Sequence, residues 1–449
     1  MGVLGSNYRF NSVSARCQNS RKAERRASLG VLAAFFTVLS SFVSAERPFF
    51  ELPPLEYSRK ATSEEVEALR EKWSREGAAN LAGKALLREV LAELNVPESS
   101  QVLVFSKTSL QNGLISRRNP RALYFSDDVY VGWVPGGMIE LIVESGKHGP
   151  VFYTVEANPK ANAPTITRAT SDCLSCHAGG RTGGVPGVLV RSVHVGEDSF
   201  PIFRHGTETV DDRTPLERRW GGWYVTGGEG VLHLGNQLAS KVKGLVPMAV
   251  TIDTVGEDVP PGRYLRDTSS AVALMVLEHQ CRVHNVITEA KMRFRRSAHV
   301  EDLLQEGELG GSPSRILQDR VRVASAKIVD ALLFKGEAPL PGEGLGVKGE
   351  FAQEFQDRGP KIGKRKSLRR LRMYERMFRY RCSYMIYSRA FNTLPKVLKE
   401  AVFVKLRAAV SEEGLEGYDY LTAREKRAIS QLLSVTCQVF RAVSADDQK

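Results

Sequence analysis

The chain has 449 residues, with 63 Lys or Arg against 51 Asp or Glu, for a formal net charge of +12. Apolar residues make up 42% and charged residues 25%, a balance that excludes a fully disordered chain and a multi-span membrane protein. The length admits two or three modest domains or one large one with additions, and six cysteines are too few for a disulfide scaffold.

Part of the charge sits at the amino terminus. Arg9, Arg16, Arg21, Lys22, Arg25 and Arg26 face one acid, Glu24, ahead of the uncharged run LGVLAAFFTVLSSFVSA at 29–45. A basic flank, an apolar stretch and the small residues Val43-Ser44-Ala45 are the parts of a secretory signal. The competing anchor helix is marginal for a hydrocarbon core of ~30 Å. The expectation is a signal peptide over 1–45 and an exported protein, periplasmic or in the cell envelope. The charge left in the remainder is too mild for a nucleic-acid footprint, so no nucleic-acid partner is expected.

Residues 46–61 read as an extended lead. From Thr62 to Leu94 the spacing is helical, with Val66, Leu69 and Trp73 on one face and Leu86, Val90 and Leu94 continuing beyond a break at Gly77 and Gly83. Then come the β-rich runs VLVF, ALYF, VYVGWV, MIELIV and VFYTV, with a turn at Val134-Pro135-Gly136-Gly137-Met138. Residues 157–262 are punctuated by Gly and Pro and show few clear helices. Thr268 to Arg296 reads as a helix whose first half is buried. Ser312-Pro313 predicts the start of another, ending near Phe334. Residues 336–349 read as a loop, Pro395 to Val410 as an amphipathic helix, and Thr422 with Glu425 as a capping box. The fold class expected is α+β: a β-rich amino-terminal region, a Gly-rich centre and a helical carboxy-terminal half.

Cys173-Leu174-Ser175-Cys176-His177 carries the chemistry. Two thiols at i and i+3 on one helical turn can both add to the vinyl groups of a haem, and the adjoining imidazole then reaches the iron as proximal ligand. A structural zinc site would need two more ligands, and no second CxxC exists. A thioredoxin-like pair would follow a strand in a βαβ unit, which this lead-in does not suggest. Covalent haem attachment takes place after export, so signal and motif support each other. The expected cofactor is one covalent haem c, with its iron.

Around the motif, Gly179, Gly180, Gly183, Gly184 and Gly187 would let the backbone approach a flat ligand. Arg181, Arg191 and Arg213 are candidates for the haem propionates, and Trp220 and Trp223 for pocket wall or core. The sixth iron position is open. His279 lies on an apolar stripe with Val272, Met275, Val276, Val283 and Val286. It is read either as a core histidine with a hydrogen-bond partner or as the distal ligand, with Met248 and His233 next in line. His148 and His299 are expected at the surface. Of Cys281, Cys382 and Cys437, two could pair. Lys361 to Arg381 is densely basic. It is either a solvated face or a patch for an acidic redox partner or a peripheral membrane contact.

The stretches SSQVLVFSKTSLQ, PRALYFSDDVYVGW, DCLSCHAGGRTGGVPG, RWGGWYVTG, HLGN, LEHQ with the later HN, and CSYMIYSRAFNTLP together resemble a poorly characterised family of exported, single-haem CxxCH proteins with a cytochrome c domain, found in planctomycete-like bacteria. The resemblance spans about residues 98–395 and departs at the tail TCQVFRAVSADDQK. It implies a covalent haem on Cys173 and Cys176 with His177 as axial ligand, and it implies no specific activity.

The expected organisation is signal peptide 1–45, helix plus β-rich domain 46–156, haem c-binding core 157–300 and helical region 301–449. The leading function is a c-type cytochrome passing electrons to redox partner proteins. The alternatives are a haem oxidoreductase, with His279 or Glu278 as distal acid–base group, and a haem-bearing sensor or binding module.

Overall fold

The computed structural model describes residues 47–78, 81–304 and 314–441. The signal segment 1–45 and Ser312-Pro313 lie outside them. Among the described residues, no helix is long and apolar enough to cross a membrane.

The fold is α+β. Six strands form an antiparallel sheet in sequence order: β1 (Val102–Val104), β2 (Arg121–Phe125), β3 (Val129–Trp133), β4 (Ile139–Glu144), β5 (Pro150–Glu156) and β6 (Thr165–Arg168). The first five match the β-rich runs. Gly136 takes φ +89° in the turn between β3 and β4, where Gly137 N–H donates to the Val134 carbonyl at 2.8 Å.

Alternation along the strands gives the sheet two faces. Tyr124, Val131, Leu141 and Tyr153 sit opposite one another in a row. With their neighbours they pack against helices α1 (Glu64–Glu76) and α2 (Gly83–Glu93), which contribute Val66, Leu69, Trp73, Leu86 and Val90. The opposite face carries a second row, Phe125, Tyr130, Ile142 and Phe152, and beside it Leu123, Gly132, Glu140 and Thr154.

A two-turn helix, α3 (Ser171–His177), follows the sheet, then a small hairpin of β7 (Val190–Val193) and β8 (Thr207–Val210). Helix α4 (Ala271–Leu304) is buried continuously from Ala271 to Cys281. It packs on α5 (Arg315–Leu332), which packs on α7 (Lys396–Val410), and α8 (Ala423–Thr436) lies on α7. Between α5 and α7 come α6 (Glu350–Asp357) and the hairpin β9 (Leu371–Tyr374) and β10 (Arg376–Phe378). The Ser314 side chain caps α5 by accepting from Leu317 N–H, and Thr422 and Glu425 form the capping box of α8.

The described residues from 48 onward form one compact unit. The expected boundaries at 156/157 and 300/301 do not separate independent bodies, because one core joins Val104, Phe125 and Tyr130 of the sheet with α4 and the carboxy-terminal helices. The basic run 361–381 is also reshaped. Much of it is the β9–β10 hairpin, and buried Arg369 pairs with Asp127 and lies over the Tyr384 ring. Arg376 pairs with Glu425. Lys364, Arg365, Lys366, Arg370 and Arg379 remain exposed.

Candidate functional site

The second sheet face is the floor of a cavity of about 390 Å³, within the range of cofactor and small-molecule pockets. Leu123, Ile142 and Phe152 lie on the floor. Val188 and Trp223 form one wall, Leu277 and Cys281 of α4 another, and Cys173, Cys176 and His177 of α3 the third. The spacing of the motif is the cause: on a helical turn, i and i+3 share a face, so both sulfurs line the same space. Cys173 is half-buried and Cys176 exposed, both as free thiols. Burial pushes the Cys173 thiol up to about 11.

His177 is anchored twice to one residue. Its Nδ1 lies 2.9 Å from the Gly187 carbonyl, and its own carbonyl accepts from Gly187 N–H at 2.8 Å. A carbonyl only accepts, so Nδ1 carries the proton and Nε2 keeps its lone pair. Burial lowers the imidazole pKa, an effect the Gly187 bond partly offsets, and the ring packs 5.2 Å from Phe152. A neutral imidazole oriented through Nδ1 is the form that ligates a metal.

Polar and charged groups also line the cavity, among them Lys107, Asn112, Arg121, Glu140, Asp172 and Arg191. Arg121 and Glu140 form an ion pair. Gly132, between Leu123 and Glu140 in the register, leaves room for the Arg121 guanidinium, which a Cβ there would strike. Arg191 lines the mouth and donates from Nη2 to Thr207 Oγ1 at 2.9 Å, while its Nε is buried with no partner. Burial lowers its pKa, and neighbouring Arg181 lowers it further. These residues fit a haem: two thiols and a neutral imidazole on one mainly apolar cavity, with an unpaired guanidinium donor among its lining suited to a propionate. They fit zinc less well. Among the described residues, no group of three or more His, Cys, Asp or Glu is arranged to hold a metal ion, and a closed zinc site needs four ligands.

Several expectations are corrected. His279 does not reach the cavity. It is fully buried, with Nε2 2.7 Å from Ser383 Oγ, Nδ1 3.3 Å from Asp212 Oδ1, and its ring stacked on Phe334 at 4.1 Å. Both nitrogens are engaged, so it is a satisfied core histidine. The order Asp212, His279, Ser383 mimics a hydrolytic triad. However, all three are fully buried, none lines the cavity, and Ser383 Oγ also accepts from Met385 N–H.

Glu278 is likewise buried, accepting from Arg219 and from Trp220 Nε1, both at 2.7 Å; burial raises it to about 7 against the pull of Arg219. His233 is buried against Trp220 and Met248 is exposed, and neither lines the cavity. Arg213 pairs with Asp211 at the surface. Gly183 and Gly184, at φ +75° and +74°, wind the loop after α3 and do not line the cavity. His148 is buried and His299 partly so. Cys281, Cys382 and Cys437 are all free thiols. The two tryptophans divide: Trp223 lines the cavity, and Trp220 sits in the core.

Two contributors carry no motif. Tyr130, on β3, lines the cavity with its hydroxyl 2.6 Å from His284 Nδ1. Asn285, on α4, holds the segment that holds His177. The pairing of Tyr130 with His284 spans 154 residues and leaves no local trace. Compared with known proteins, the chain matches no family model, no curated protein and no solved structure.

Proposed function

We propose that this chain is an exported c-type haem protein that carries electrons, with one haem joined to Cys173 and Cys176 and its iron held by His177. The observation that carries this reading is the placement of all three motif side chains on one mainly apolar cavity, with His177 Nδ1 committed to Gly187 and Nε2 left as a lone pair. When bound, the haem supplies one-electron chemistry through its iron. The chain's own residues do the rest. Cys173 and Cys176 would hold the haem through its vinyl groups, Gly187 orients the His177 imidazole, Phe152, Ile142 and Leu123 exclude water, and Arg191 is placed to pair with a propionate. Cys176 is exposed, so its end of the site is open to a redox partner. The exposed basic residues from Lys364 to Arg379 offer a docking patch for an acidic partner or a membrane surface.

A second reading, a haem enzyme or ligand-binding haem module, is favoured by one observation. Among the described residues lining the cavity, His177 is the one histidine, and there is no methionine. The test is protein made with a c-type maturation system and examined by haem-stained denaturing electrophoresis and by optical spectra with and without carbon monoxide. Covalent haem is expected, and zinc or free thiols alone would overturn the reading. A ferrous form that resists carbon monoxide supports the carrier, and one that binds it supports the second reading.

A further inference from the structure

The floor of the cavity has His177 near one end and a phenol toward the other. Phe152, Ile142 and Tyr130 occupy one row across three adjacent strands, so Phe152, under His177, and Tyr130 are two strand spacings, about 10 Å, apart. Beside Tyr130, α4 contributes Leu277 and Cys281 to the wall.

The hydrogen bonds around Tyr130 decide where its proton points. Gln280 Nε2 donates to the Ser126 carbonyl at 2.7 Å, and Gln280 Oε1 accepts from Tyr384 O–H at 2.8 Å. The amide orientation is therefore set, and the same Nε2, 3.0 Å away, donates to the Tyr130 oxygen. His284 Nδ1 lies 2.6 Å from that oxygen, while His284 Nε2 is buried with no partner. An orphaned buried N–H is rarer in folded proteins than an under-satisfied acceptor, which favours the tautomer with its proton on Nδ1. The phenol oxygen then receives two donors, from Gln280 and His284, and its own O–H is left for the cavity side, where its protein acceptor is the Cys281 thiol, a weak acceptor that itself lines the cavity.

We propose that Tyr130 is a hydrogen-bond donor of the site, aimed at a small, polar, anionic ligand that the cavity would hold between Tyr130 and His177. This rests on the haem reading above, in its open-position form. Burial supports it by raising the Tyr130 pKa well above that of a free phenol, which keeps the donor protonated. His284 and Gln280 are positioning residues: they hold the phenol oxygen, and the phenol meets the ligand.

The experiment compares wild-type and Tyr130→Phe holoprotein, each shown to carry covalent haem. Azide is the probe on the ferric form, and carbon monoxide, a poor hydrogen-bond acceptor, is the control on the ferrous form. Loss of the donor should weaken azide about tenfold and leave carbon monoxide nearly unchanged. In wild-type protein, the bound-azide stretch should shift between H2O and D2O, a readout that does not depend on the variant folding. Equal losses for both ligands, or unchanged azide affinity without an isotope shift, would overturn the donor role and leave the haem reading standing. Wild-type protein that takes up no covalent haem would overturn both.

Discussion

Asn285 holds Val188 by both of its main-chain groups: Oδ1 accepts from Val188 N–H at 2.9 Å, and Nδ2 donates to the Val188 carbonyl at 2.6 Å. The amide thus imitates a neighbouring strand for a segment that has none there. One residue earlier, Gly187 carries the carbonyl that orients His177, and a Cβ on Gly187 would strike Asn285 Oδ1 and come within 2.9 Å of Thr182 Cβ. The His177 imidazole is therefore set by α4 through two intervening contacts. Asn285→Ala should cost about 1–3 kcal/mol, because it abandons two main-chain groups. Urea unfolding checks this. In holoprotein the same change should broaden or shift the Soret band. Asn285→Asp keeps the acceptor but not the donor and should fall between the two.

His279 is predicted to affect stability and not ligation. His279→Ala removes partners from Ser383 and Asp212 and the ring stacked on Phe334. Unfolding free energy should fall by about 2–4 kcal/mol, while the spectrum of the folded holoprotein stays as in wild type. A change to a high-spin spectrum in folded His279→Ala would restore His279 as a ligand.

How far the sequence could be read follows from where the contacts lie. The strands were legible because each sheet face is buried, so VYVGWV alternates between Val131 on the α1–α2 side and Tyr130 on the cavity side. The i, i+3 thiols were legible because a helical turn is local. The apolar stripe through His279 misled, because α4 is buried all round near its start and a stripe there does not say which neighbour it meets. At 100° per residue, His279 lies about 160° around the helix from Leu277 and from Cys281, which are the residues that face the cavity. The Tyr130–His284 and Asn285–Val188 pairs depend on tertiary closure between distant segments. The basic run looked like one charged face, but pairing with Asp127 and Glu425 depends on parts of the chain that spacing does not connect.

Asp212 predicts an acid-sensitive core. Burial alone would raise its carboxyl, but Arg282, His279 and Arg219 reverse this and hold it at about 2. A carboxylate depressed on folding adds stability that is present above its unfolded value of 3.8. That contribution is lost as pH falls from there through about 2. Asp212→Asn leaves Arg282 without its buried partner and should destabilise by ~3 kcal/mol or more at neutral pH. The gap between wild type and variant should narrow as pH drops below about 4. Urea midpoints from pH 6 to pH 2.5 test this, and a gap independent of pH would show that Asp212 is not titrating in the folded state.

Arg191 combines a buried, partnerless Nε with a place at the cavity mouth. Its Trp223 neighbour fixes the strand it leaves from, since Trp223 Nε1 donates to the Arg191 carbonyl at 2.6 Å. Among the described residues no carboxylate pairs with it, and Arg181 adds like charge nearby. Such a cation is costly to hold unless an anion arrives. Under the haem reading, a propionate would supply that anion. The positive charge also favours the ferrous over the ferric state, which carries one more positive charge at the iron. Arg191→Gln removes the charge while keeping much of the side-chain volume. At an effective dielectric near 20 and a separation of about 10 Å, one unit charge is worth ~1.7 kcal/mol. The midpoint potential should therefore fall by tens of millivolts, and the apoprotein should lose little stability, since no ion pair is broken and only the exposed Thr207 hydrogen bond and the Phe203 ring contact are given up. Spectroelectrochemical titration of the two holoproteins measures the first, and urea unfolding of the two apoproteins measures the second. An unchanged potential together with a destabilised apoprotein would make Arg191 a structural residue and move the propionate contact elsewhere.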